Sequence, residues 1–111
     1  MDEMITGKTT SGFEFSYSAQ KSKSMTFTDM IVELVDEDNE FKQIKKLTAV
    51  FTYIFGNDIK DRLKAFVTEQ VGYDDAEMVM KEMFEILRII KEGNLKKSSS
   101  SPKSFEQTGT I

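Results

Sequence analysis

The sequence predicts a mainly α fold: a small bundle of about four helices, with a short N-terminal β-strand or hairpin and a disordered C-terminal tail. Three observations predict it. Between residues 26 and 92, apolar side chains recur at spacings of three and four, broken by glycines and short acidic steps. Before that stretch, Phe13, Phe15 and Tyr17 alternate with Glu14, Ser16 and Ser18, which is the period of two of a strand. After Gly93 the chain turns to Lys and Ser, with too little apolar area to offset the entropy of ordering. The 111 residues thus divide into a strand arm (1–25), one helical domain (26–92) and a disordered Ser/Lys-rich tail (93–111), with room for a single core.

The arm comes first. A lone strand leaves its own backbone groups unpaired, so residues 4–9 or a neighbouring chain must complete it. The first helix is expected near Thr26, where Thr26 and Asp29 have capping-box spacing, and Phe27, Met30, Ile31, Leu34 and Val35 share a face. Asp36-Glu37-Asp38 interrupts that pattern, and Asn39 is suited to cap the second helix. There Phe41, Ile44, Leu47, Val50, Ile54 and their neighbours form a broad apolar face, closed by Gly56. Asn57 is the expected cap of a third, more polar helix over about 58–71, with Ile59, Leu63, Phe66 and Val67 as its buried stripe. Gly72 ends it. Asp74 with Glu77 then opens a fourth helix, whose wide apolar arc runs through Val79, Met83, Phe84, Ile86, Leu87 and Ile90.

Composition removes whole classes of chemistry. There is no cysteine and no histidine, so thiolate or imidazole zinc sites, disulfides and Cys- or His-based nucleophiles are excluded. Residues 26–92 carry 15 acidic side chains against 9 basic ones, the opposite of a nucleic-acid-binding face. No apolar run approaches the roughly 18 residues of a membrane span, and Met1-Asp2-Glu3-Met4 lacks the basic start of a signal peptide. A cytoplasmic location is the expectation.

Three near-miss motifs fail at named positions. Thr6-Gly7-Lys8-Thr9 resembles the end of a phosphate loop, but Asp2 stands where the first glycine belongs and no strand can precede it; a turn is the expectation. Asp36, Asp38 and Glu40 have the spacing of a calcium loop, but Phe41 replaces the turn glycine and Leu47 the closing glutamate. Asp58, Asp61, Asp74 and Asp75 sit where carboxylates favour helix starts, without a partner group that would make them catalytic or metal-binding. No catalytic residue, cofactor or metal is expected. Lys42, Lys45 and Lys46 read as a solvated helix face.

Methionine is more informative. Seven occur in this chain, three of them in the last helix. Met80 and Met83 belong to the apolar arc, whereas Met78 and Ile89 fall on the other side, where an adaptable methionine suits partner contact. Met78, Ile89 and Phe84, with Phe13 and Phe15 of the strand, are the candidate partner-binding residues.

Several stretches, taken in order, resemble one family. Thr10-Ser11-Gly12-Phe13-Glu14-Phe15, then Asp29-Met30-Ile31-Val32-Glu33-Leu34, then the acidic break at Asp36-Glu37-Asp38 follow its pattern. So do Phe55-Gly56-Asn57-Asp58-Ile59-Lys60-Asp61-Arg62-Leu63-Lys64 and Met80-Lys81-Glu82-Met83-Phe84-Glu85-Ile86-Leu87. The chain is similar, over about residues 9–98, to the tail assembly chaperones of long-tailed phages of Gram-positive bacteria. One departure is the short connection Thr68-Glu69-Gln70-Val71-Gly72-Tyr73-Asp74, where the family often has a longer one containing Gly and Pro. The resemblance implies a protein that coats the apolar, helical tape-measure protein and is displaced as tail-tube subunits polymerise. It also implies self-association and, in many such phages, a longer frameshifted form. Two other readings compete. A small helical adaptor would bind one amphipathic helix as a monomer, and a metal-dependent enzyme would be stabilised by magnesium or calcium.

Overall fold

The computed structural model describes residues 2–98, with side-chain surroundings for residues 2–94. The chain is mainly helical, with a two-stranded hairpin at its start. β1 (Met4–Lys8) and β2 (Glu14–Ser18) pair antiparallel, Met4 opposite Ser18 and Lys8 opposite Glu14. The strand therefore finds its partner within the chain. Between the strands, the Thr9 amide donates to the Phe13 carbonyl (2.9 Å) and the Gly12 amide to the Thr9 carbonyl (3.0 Å). Thr6-Gly7-Lys8, expected as a turn, is instead the end of β1, and the turn falls at Thr10-Ser11. Gly7 has a packing reason to be glycine: a Cβ there would lie 2.5 Å from Phe15 Cζ on the opposite strand.

Five helices follow among the described residues, where about four are expected. α1 (Ala19–Ser22) is a single turn within the presumed arm, capped by Ser18, whose Oγ accepts from the Lys21 amide (3.1 Å). α2 (Met25–Asp36) starts one residue before Thr26. Ser24 caps it by accepting from the Phe27 amide (3.1 Å), because the end of α1 already places that hydroxyl beside the free amides. α3 (Glu40–Phe55) is capped by Asn39 as expected, Oδ1 accepting from the Lys42 amide (3.0 Å), and stops at Gly56. α4 (Ile59–Val71) has Asp58, not Asn57, at its cap, without a side-chain capping bond. α5 (Ala76–Ser98) is capped by Asp75 in place of Asp74: Asp75 Oδ2 accepts from the Met78 amide (3.0 Å).

α3 lies at the centre, packed against α2, α4 and β2, while α5 closes the bundle against α4 and β1. Leu47, Val50 and Phe51 of α3, Leu63 and Val67 of α4, and Ile86 and Ile90 of α5 meet in one core. The N-terminal segment is part of this core and not a separate arm. Phe13, Phe15 and Tyr17 point inward from the hairpin, and their rings interlock with helical ones: Phe13 edge-on to Phe66 (5.3 Å) and Phe15 edge-on to Phe55 (6.0 Å). Arg62 covers the Phe13 ring and donates to the Glu14 carbonyl.

The tail boundary also moves. The sequence predicts disorder from residue 93, but residues 93–98 continue α5, and 99–111 lie outside the described residues. Tertiary contacts offset the helix penalty of Gly93. A Cβ at Gly93 would stand 3.1 Å from the Tyr17 hydroxyl, so glycine lets α5 pass close to β2. One residue on, Asn94 donates to the Ser22 carbonyl (2.9 Å) and pairs with the Ser22 hydroxyl (3.2 Å), tying α5 to α1.

Candidate functional site

An apolar groove of about 380 Å³ lies on the described surface between α2 and α5. Each wall is a helical stripe: Ile31, Leu34 and Val35 on α2, and Phe84, Leu87, Arg88 and Lys91 on α5, at spacings of three and four. Leu34 and Leu87 are buried and make the floor; Val35 (73% exposed) and Phe84 (39% exposed) stand open above them. The groove exists because α2 packs mainly on α3 and α1, while α5 packs on α4 and the hairpin, so these two helices leave a gap. Arg88 pairs with Glu92 (3.2 Å) at the mouth, an exposed pair that adds little to stability.

Beside it, the hairpin turn is fastened to α5 by two carboxylates. Buried Glu82 accepts from the Thr9 hydroxyl (2.8 Å). Glu85 accepts from both the hydroxyl and the amide of Thr10 (2.7 Å each). Those two bonds, the hydroxyl's first, with help from the nearby Arg88 charge, hold the Glu85 carboxyl below its ordinary value. This fastening sets the position of Phe84, which lies between the two glutamates in sequence and faces both the groove and the turn.

Of the five candidate residues, Phe84 alone lines the groove. Phe13 and Phe15 are each only 4% exposed, consumed by the core because the hairpin folds onto the bundle. Met78 and Ile89 are half-buried against the core and do not form the open face expected of them. α5 is approached by α4 on one side and the hairpin on another, so a wider arc of it is covered. Sequence reasoning missed Val35, which it assigned to the α2 core face. The exposed Val32 beside it was a usable signal: an apolar residue off the Phe27-Met30-Ile31-Leu34 stripe marks a helix with more apolar surface than its core needs.

Among the described residues, no group of three or more acidic side chains is gathered so as to hold a metal ion. Asp58 and Asp61 sit at the start of α4, and Asp75 is engaged with the Tyr73 hydroxyl and the Met78 amide. No helix among them is long and apolar enough to cross a membrane. Comparison of the chain with family models, curated proteins and solved structures finds no match.

Proposed function

We propose that this chain is a non-catalytic, cytoplasmic helix-binding protein that holds an amphipathic segment of a client in the α2–α5 groove. The observation that carries this reading is the groove itself: two apolar helical stripes held apart, with Val35 and Phe84 exposed above a buried floor. An amphipathic helix with anchors at spacings of three and four would fill such a channel without any covalent chemistry. The side chains at its mouth, Arg88, Lys91 and Glu92, are exposed charges suited to exchangeable binding.

The ordered sequence resemblance narrows the client. We infer a tail assembly chaperone, many copies of which keep a tape-measure protein soluble until tail-tube subunits displace them. Co-expression with a tape-measure protein tests the reading. Wild type should move that client into the soluble fraction, and Val35→Lys should not, although it folds normally. A client equally insoluble with and without the chain refutes the chaperone reading. The adaptor reading uses the same groove, and stoichiometry separates the two: one chain per partner for an adaptor, many per client for a chaperone.

A further inference from the structure

A second opening, of about 210 Å³, lies between α3, α4 and α5. Its floor is apolar, built from the buried Leu47, Val79 and Met83 with Met80, and it is roomy enough for one aromatic side chain. Lys60 and Lys64 of α4 line it too, as does one carboxylate, Asp74. Lys60 donates to the Thr48 hydroxyl (3.1 Å), and among the described residues neither lysine forms an ion pair. In a chain with 19 acidic and 15 basic residues, two cations outside any ion pair around an apolar hole favour an anionic, apolar occupant.

The same chain displays such an element. Phe41, in the first turn of α3, is 80% exposed. Asp36, Asp38 and Glu40 surround it in sequence, all exposed and in no ion pair among the described residues. Phe41 does not line the cavity of its own chain, and α3 is a rigid helix, so it cannot fold back into it. Yet Phe41, Ile44 and Thr48 share one face of α3, and Ile44 and Thr48 line the cavity. The knob and the hole are therefore neighbours, about 5–10 Å apart along the helix.

We propose that this face recognises a second copy of the chain: two α3 helices dock side by side, and Phe41 of each enters the cavity of the other. Asp38 and Glu40 then meet Lys60 and Lys64 across the contact. The exchange is reciprocal, so the contact closes at two copies. It deepens the many-copy part of the reading above, and it uses none of the residues of the α2–α5 groove, so loss of pairing and loss of client binding are separable.

Sedimentation velocity on the full chain over a concentration series tests the proposal. Wild type should pass from monomer to dimer. Phe41→Ser, and separately Lys60→Glu with Lys64→Glu, should weaken pairing by about tenfold or more, as expected for loss of a central anchor or of its charge partners. Adding Asp38→Lys and Glu40→Lys to the lysine-reversed chain should restore the dimer, since the charges are then exchanged across the contact. Melting curves show that each variant is folded, and client solubilisation is measured in parallel on the same variants. A wild type that stays monomeric, a Phe41→Ser chain that pairs as wild type does, or charge exchange without recovery overturns the proposal. An assembly that grows beyond two copies overturns the reciprocal geometry.

Discussion

Replacing Gly7 by alanine exchanges a hydrogen for a methyl group at an edge of the fold, yet the structure makes it a severe change. The new Cβ would lie 2.5, 2.9 and 3.2 Å from Phe15 Cζ, Cε2 and Cε1. Relief would require the ring to move, and the ring is held: it is buried, stacked near Tyr17 (6.1 Å) and edge-on to Phe55 (6.0 Å), which itself packs on Phe51. Overpacking of this kind costs about 1–3 kcal/mol. Alanine's smaller unfolded-state entropy returns about 0.4–1 kcal/mol. The middle of these ranges leaves a net loss of about 1.3 kcal/mol, which in a domain of this size lowers the melting temperature by roughly 5–10 °C. Thermal denaturation followed by circular dichroism measures it. The cause is separable by adding Phe15→Leu: the alanine should cost at least about 1 kcal/mol less beside leucine than beside phenylalanine. If Gly7→Ala melts with wild type, or costs as much in the Phe15→Leu background, the ring does not rest on Gly7 as described.

The remaining expectations concern how the N-terminus and α5 hold each other. Because the Glu85 carboxyl is depressed from its ordinary value of 4.5, its bonds to Thr10 contribute fully above that value and are lost as pH falls through the depressed one. The stability difference between wild type and Glu85→Gln, measured in melts across pH, should therefore shrink toward acid; a difference independent of pH contradicts it. Asn94→Ala removes both bonds to Ser22; the Ser22 hydroxyl keeps the Ala19 carbonyl, but the Ser22 carbonyl loses the Asn94 amide, a loss of about 1–3 kcal/mol in urea denaturation. Met78→Asp with Ile89→Asp should destabilise by more than about 2 kcal/mol, since both pack on the core, whereas Val35→Lys should stay within about 0.5 kcal/mol of wild type in the same assay.

Much of the fold was legible because its signals are local. Asn39 caps α3 and Gly56 and Gly72 stop α3 and α4 through bonds to residues within a few positions, and such chemistry is written in adjacent letters. The caps of α2, α4 and α5 differ by one or two residues from the expected ones, where several residues able to cap stand close together: Ser24 before Thr26, Asp58 after Asn57, Asp75 after Asp74. Position 93 failed for a different reason. Gly93 weakens a helix on local grounds, but Tyr17 and Ser22, more than seventy positions away, reward its continuation. No window around Gly93 contains that information.

The binding surfaces were harder to read, for a reason that bears on function. A period of three and four says which face of a helix is apolar, but it does not say what covers that face. Val35 and Leu34 carry the same signal and are neighbours on α2, yet Leu34 is floor and Val35 is open, because α2 packs mainly on α3 and α1 and this leaves Val35 uncovered. Conversely, Phe13 and Phe15 read as an available strand and are consumed by Phe66 and Phe55. The hairpin buries its own aromatics against α3 and α4, and through Glu82 and Glu85 it is fastened to α5 on either side of Phe84. The fastening at Thr9 and Thr10 therefore holds the stretch of α5 that carries the Phe84 wall of the proposed site. Loosening it with Thr10→Val should alter client binding through α5, although Thr10 itself lies outside the groove.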